Sequence, residues 1–355
     1  MKKTIKPLLW GILLFIVACK SERETYQPRL ATLSQMKSFE IEATSVRAMT
    51  LLDEKNVGFA GSGGVFGFID TKNATIFHST LKNKGIDADF RSVGATLQDF
   101  LILSAGNPAM IFKTSDSQMR EVYREQHDAV FYDSMLFFDS ENGMAVGDAT
   151  EGCLSVLTTK DGGASWKKIT CEKLPKMAQD EALFAASNSN IAQIFGKVWV
   201  ITGGSQSRIF ITDTQWKNWE SVTLPIIQGS SSQGAFSVDF YDTQKGIVMG
   251  GDYLQPENKK AIGALTFDGG KKWQTIDEKF APGYVSCVKY IPDTKGNELL
   301  ATGPNGIWFS NSGGKQWQKV DEGAYHAMLF LDRNTFVASA NGKITLFRIK
   351  FTLQK

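Results

Sequence analysis

Thr159-Lys160-Asp161-Gly162-Gly163-Ala164-Ser165-Trp166 recurs as Thr266-Phe267-Asp268-Gly269-Gly270-Lys271-Lys272-Trp273 and as Ser310-Asn311-Ser312-Gly313-Gly314-Lys315-Gln316-Trp317. Each copy sets a hydroxyl residue, an acid or hydroxyl two places on, two glycines and a closing Trp in one register. Degenerate copies stand at Lys113-Thr114-Ser115-Asp116 and at Ile211-Thr212-Asp213-Thr214, the latter closed by Trp219. Asp161 follows Asp116 by 45 residues, Asp268 follows Asp161 by 107 with one copy between, and Ser312 follows Asp268 by 44. A period of about 40–50 residues belongs to the blades of a β-propeller.

The phrase is an Asp box, and it reads as a folding device. The carboxylate bonds amides of its own turn, the glycines supply positive φ, and the Trp packs between neighbouring sheets. A second phrase precedes the boxes: an apolar strand ending in Asp, a short turn, then a strand closing on small residues. It is clearest at Phe137-Phe138-Asp139 to Gly147-Asp148 and at Phe240-Tyr241-Asp242 to Gly251-Asp252, and weaker versions bring the total to seven. Short strands of β-branched and aromatic residues, separated by Gly/Asn/Asp turns, complete the pattern. The expected fold is all-β, a seven-bladed β-propeller. The last unit offers only three strands, and Lys37 to Glu42 alternates polar and apolar residues, so this N-terminal strand is expected to close the final blade and remove an open edge.

Lys2, Lys3 and Lys6 precede an apolar run over residues 8–18, the order of a secretory signal. The run is too short for a bilayer-spanning helix, which needs about 20 residues. It ends in Ile16-Val17-Ala18-Cys19, which resembles a bacterial lipobox with Cys19 as the lipidated residue. The expected organisation is a signal peptide over 1–18, a lipidated tether over 19–36 and the propeller over 37–355. The protein is then anchored by lipid at the bacterial outer membrane, with the periplasmic and cell-surface sides both open. Removing residues 1–18 takes three lysines and no acid, leaving 36 basic against 37 acidic residues. Such a balance carries no electrostatic footprint for nucleic acid.

Cys153 and Cys171 flank a strand, turn and strand centred on Gly162, which sets them opposite each other in a hairpin. In an exported protein they are expected to form a disulfide. With no Cys-x-x-Cys and only three histidines, no metal is expected. Cys287, in an apolar alternating run, reads as core.

Ser45-Val46-Arg47-Ala48-Met49, Glu181-Ala182-Leu183-Phe184-Ala185-Ala186-Ser187, Gly229-Ser230-Ser231-Ser232-Gln233-Gly234-Ala235-Phe236-Ser237 and Tyr284-Val285-Ser286-Cys287-Val288 go beyond generic Asp boxes. They resemble BNR-repeat propellers related to photosystem II stability/assembly factors, from about residue 37 to the C-terminus. The resemblance implies a protein-binding assembly role. Bacterial members are often labelled oxidoreductases or glycosyl hydrolases, and fold alone does not decide among these.

In a four-strand meander, the crossovers between blades and the second turns share one face, opposite the Asp boxes. Those positions hold Arg47, Arg91, Asp148, Glu181, Arg208, Ser232, Asp252, Tyr253, Tyr284 and His326, expected to ring the mouth of the channel as a ligand-binding set. Guanidinium forks suit carboxylate or phosphate. The competing reading has Arg47 and Arg91 neutralising Asp148 and Asp252 across the channel. No catalytic residue and no cofactor is expected. The leading function is a non-catalytic envelope scaffold for a protein or glycan partner. The alternatives are a sialidase-like glycoside hydrolase, for which Arg47, Arg91 and Arg208 would have to form the carboxylate-gripping triad, and an oxidoreductase. No Gly-x-Gly-x-x-Gly between strand and helix and no Cys-x-x-Cys-His supports the last.

Overall fold

The computed structural model describes residues 26–82, 88–115 and 118–354. The signal segment, Cys19 and Asp116 lie outside the described residues. Apart from two 3-10 turns, Cys171–Lys173 and Glu278–Phe280, the regular elements there are strands. Runs such as Phe100–Ser104 and Lys197–Ile201 are apolar at nearly every position because each sheet is covered on both faces by its neighbours.

The strands form an all-β propeller of six sheets among the described residues, where the repeat count led to an expectation of seven blades. The difference lies in one strand. Arg29–Leu51 is 23 residues long and serves two units. Its first half pairs with the C-terminal strand Thr335–Leu353, from Arg29 opposite Leu353 to Glu40 opposite Lys343. Its second half pairs with Asn56–Gly61, from Val46 to Leu51. The first and last units are therefore fused into one six-stranded sheet, and the closure by an N-terminal strand is consistent with this pairing. The pairing begins at Arg29, within the stretch expected to be tether.

The box turns are built alike. Thr159 Oγ1 donates to Asp161 Oδ1 at 2.8 Å and accepts from Gly163 N at 2.9 Å, while Ser165 N donates to Asp161 Oδ1 at 3.0 Å. Thr266 and Asp268 repeat the pattern with Gly270 and Lys272. Between sheets, the fully buried Trp199 stacks on Phe240 with centroids 3.7 Å apart. Its Nε1 donates to Gly269 O at 3.0 Å, so one unit's core aromatic is bonded to the next unit's turn.

Cys153 and Cys171 are disulfide-bonded with Cα atoms 5.7 Å apart. They do not face each other as a ladder pair. The hairpin register sets Leu157 opposite Lys168, one residue off the expected register, and the strand Lys167–Lys168 ends before Cys171 enters its 3-10 turn. Cys153 pairs instead with Lys176.

The axis is crossed by residues 187–190. Asn188 Nδ2 donates to Val93 O at 3.0 Å, and its Oδ1 accepts from Met135 N at 2.9 Å. Ser187 Oγ donates to Ser286 O at 2.6 Å, and Ser189 Oγ to Ser237 Oγ at 2.8 Å. The partners Val93, Met135 and Ser237 belong to three different sheets, so this crossing ties inner strands together.

Candidate functional site: an arginine and aromatic pocket at the axis

Four inner strands carry the same irregularity. Against their neighbours they hold one extra residue, and the extra residues are Arg47, Arg91, Asp133 and Phe236. A β-bulge re-aims the side chain it inserts. Ser286 and His326 stand one residue before the paired positions Cys287 and Ala327. All of these but Asp133 converge on a pocket of about 510 Å³, which Tyr253, Tyr284, Phe184, Tyr325 and Asn341 also line.

One wall is aromatic. Phe184 lies flat on Phe236, with centroids 3.8 Å apart and planes at 7°. Tyr284 meets the Phe236 ring edge-on at 4.8 Å, and Tyr253 stands edge-on to Phe184 and Phe236 at 6.5 and 6.2 Å. Such edge contacts fix ring orientation while leaving an apolar face to the pocket.

The opposite wall is basic. Arg91 is engaged by Asp89, with Nε at 2.8 Å and Nη2 at 2.7 Å from Oδ2. Arg47 makes no hydrogen bond or ion pair with a described residue, and its Nε is buried. Burial, and then the repulsion of Arg91, lower its pKa from the ordinary arginine value. His326 Nε2–H donates to Asn341 Oδ1 at 2.9 Å. Burial and the neighbouring Arg47 push the imidazole down to about 4, so the ring is neutral at physiological pH. The pocket thus offers a desolvated guanidinium, a neutral imidazole and an aromatic wall, the chemistry of a site for a carboxylate attached to an apolar group.

Behind Arg91 lies a second charge system. Asp133 is fully buried, and neither carboxylate oxygen has a hydrogen-bond partner. Burial, then the proximity of Asp148, raise its pKa well above the usual range, with Arg91 opposing. Burial pushes Asp148 up to about 6, against the hydrogen bond that Leu183 N donates to it at 2.7 Å.

Of the residues expected at the mouth, the structure brings together Arg47, Arg91, Tyr253, Tyr284 and His326. The other five lie away from the pocket lining. Glu181 and Arg208 pair with each other, Arg208 Nε at 2.9 Å from Glu181 Oε1, and Thr202 Oγ1 donates to the same oxygen at 2.6 Å. Asp252 accepts from Gln233 Nε2 and Leu254 N, and Ser232 sits beside Ser230. Asp148 holds Leu183 N. Neither Asp148 nor Asp252 ion-pairs with Arg47 or Arg91, so the cross-channel network is replaced by the local Arg91–Asp89 pair. Arg208, committed to Glu181, does not join Arg47 and Arg91, and the three arginines of a sialidase-type grip do not converge. Phe184, Phe236, Tyr325, Asn341 and Asp133 were not among the expected residues.

Fold and site define a β-propeller with an arginine and aromatic pocket near its axis. Among the described residues no group of three or more His, Cys, Asp or Glu is placed to hold a metal. No protein-family model and no curated protein matches the chain. Solved structures do. "YCF48 bound to D1 peptide" is 15% identical with a TM-score of 0.64, covering 93% of this chain and 98% of that one. "YCF48 from Cyanidioschyzon merolae" is 11% identical with a TM-score of 0.60, covering 89% of this chain and 98% of that one. At these identities the likeness is one of fold, and it agrees with the assembly-factor-like propeller resemblance of the sequence phrases.

Proposed function

We propose that this propeller is a non-catalytic assembly or binding scaffold that seats a carboxylate-bearing, apolar peptide segment of a protein partner in the axial pocket. The observation that carries the reading is Arg47, a partly buried guanidinium with no hydrogen-bond or ion-pair partner among the described residues, set beside the aromatic wall. Such a group is costly to bury unpaired and gains most from an incoming anion. Phe184, Phe236 and Tyr253 supply the apolar contact, and Arg91, steadied by Asp89, the second fork. The peptide held by the structurally similar YCF48 supports a polypeptide ligand. We further propose that the lipidated Cys19 and the tether present this pocket at the bacterial envelope. Cys19→Ala should move the protein from the membrane to the soluble envelope fraction.

Affinity capture from the native membrane, comparing the wild type with an Arg47→Ala/Arg91→Ala variant, tests the role. Partners that co-purify with the wild type should be lost from the variant while its melting temperature stays within a few degrees. Retention of every partner by a folded variant would move the recognition surface elsewhere.

A further inference from the structure

A second concavity, of about 1140 Å³, lies at the outer rim, away from the axial pocket. It exists because one sheet is cut short. The strand Lys167–Lys168 is only two residues long, after which the chain leaves the sheet through the 3-10 turn Cys171–Lys173. The disulfide to Cys153 pins that departure. The resulting wall, drawn from residues 168–176, faces Arg208, the turn 215–219 and Ser221 of the next sheet across a groove.

Its charges are unbalanced. Lys168 is neutralised by Glu125 at 2.5 Å and Arg208 by Glu181. Lys160, Lys173, Lys176 and Lys217 line the groove, are exposed, and have no ion-pair partner among the described residues. Glu172 is the one acid on the lining. In a chain whose mature charge is near zero, four uncompensated ammonium groups in one groove form a local positive field. They are mobile point charges on long stems rather than guanidinium forks, and they suit carboxylates spread along a ligand more than one carboxylate gripped twice.

The rest of the lining is not what an acidic peptide needs. Trp216, held in a left-handed turn with φ 59°, leans on Phe138 at 5.5 Å, and Trp219 stands next to it. The carboxamides of Gln215 and Asn218 and the hydroxyls of Thr158, Thr170 and Ser221 also face the groove. Flat indole surfaces fit the C–H faces of sugar rings, amides and hydroxyls fit their hydroxyl groups, and the lysines fit carboxylates at intervals. We propose that this groove is a second ligand site, for an anionic oligosaccharide of the uronic-acid type several rings long.

Titration of the full chain at low salt tests the assignment, with galacturonate oligomers, neutral malto-oligomers of the same length and a poly-glutamate peptide of the same charge as probes. The uronate should bind with a change in indole fluorescence and weaken as salt rises. Lys173→Glu/Lys176→Glu should weaken it by roughly tenfold, two exposed charges being reversed, and Arg47→Ala should leave it unchanged. Trp216→Ala should lose it, with Trp216→Phe as the folded check that keeps partial binding. Equal binding of the neutral oligomer, tighter binding of poly-glutamate, or indifference to the charge reversal would overturn the proposal. Because the groove variants leave Arg47 in place, their failure to alter uronate binding overturns the groove assignment without touching the axial pocket.

Discussion

Arg47 and Arg91 occupy the same bulged position on neighbouring inner strands, yet Asp89 holds Arg91 at 2.7 Å while Arg47 makes no hydrogen bond or ion pair with a described residue. The asymmetry separates architecture from recognition. Arg91→Ala leaves Asp89 unpaired and half exposed, and is expected to cost no more than about 1 kcal/mol. Arg47→Ala removes a desolvated charge and should leave the melting temperature unchanged or slightly raised. A fall of many degrees for Arg47→Ala, by differential scanning calorimetry, would make Arg47 a structural residue.

The buried acids make stability depend on pH in a direction opposite to the usual carboxylate. The folded-state pKa values of Asp133 and Asp148 lie above the unfolded value, Asp148 at about 6. The contribution of Asp148 is complete below about pH 4 and is lost as pH rises through 6, and that of Asp133 is likewise lost as pH rises. Asp148→Asn keeps an acceptor for Leu183 N and removes the charge. It should therefore stabilise the protein by roughly 2 kcal/mol at about pH 7.5 and by nothing near pH 4. Denaturant melts of wild type and variant across that range check this, and a variant that is less stable at pH 7.5 would refute it.

The fold was legible because its punctuation is chemical. Box turns need Thr159, Asp161 and Gly163 at fixed offsets, and the offsets survive in the sequence. The blade count was less legible, since nothing in residues 29–51 marks one strand as serving two units. Five mouth residues were found from topology, because crossovers and second turns share a face. The others failed where a side chain had a nearer partner, as Arg208 has in Glu181. Asp133 and Phe236 were missed although a signal existed. Like Arg47 and Arg91, each precedes a small residue that begins the inner-strand ladder, Ser134 and Ser237 here as Ala48 and Ser92 there. The packing of Phe184 on Phe236 was beyond reach, because it depends on where residues 187–190 cross the axis.

The N-terminal strand is latched by more than its ladder. Arg29 Nε donates to Glu298 Oε1 at 2.7 Å, its Nη2 meets Oε2, Tyr26 OH donates to Oε1 at 3.0 Å, and the guanidinium lies 3.8 Å from the Phe351 ring centre. Glu298 is almost wholly buried, its side chain 1% exposed. Arg29→Ala should strand that carboxylate and cost about 3 kcal/mol, whereas Arg29→Ala combined with Glu298→Gln should recover part of the loss. Equal losses in the single and double variants, by urea denaturation, would show that the pair is not coupled.

The disulfide should matter to the outer groove and little to the axis. Cys153→Ala/Cys171→Ala opens a loop of 18 residues in sequence separation, expected to cost about 2–4 kcal/mol. A non-reducing peptide map of the protein with both cysteines as free thiols would contradict the bond.

Titration of N-acetylphenylalanine and of its amide against wild type and Arg47→Ala, followed by calorimetry or by chemical shifts of the pocket aromatics, puts the buried guanidinium to the most direct test. The account predicts that the carboxylate binds, that the amide binds at least about tenfold more weakly, a difference of about 1.4 kcal/mol, and that Arg47→Ala abolishes the preference. Equal binding of acid and amide, or a preference that survives in Arg47→Ala, would contradict it.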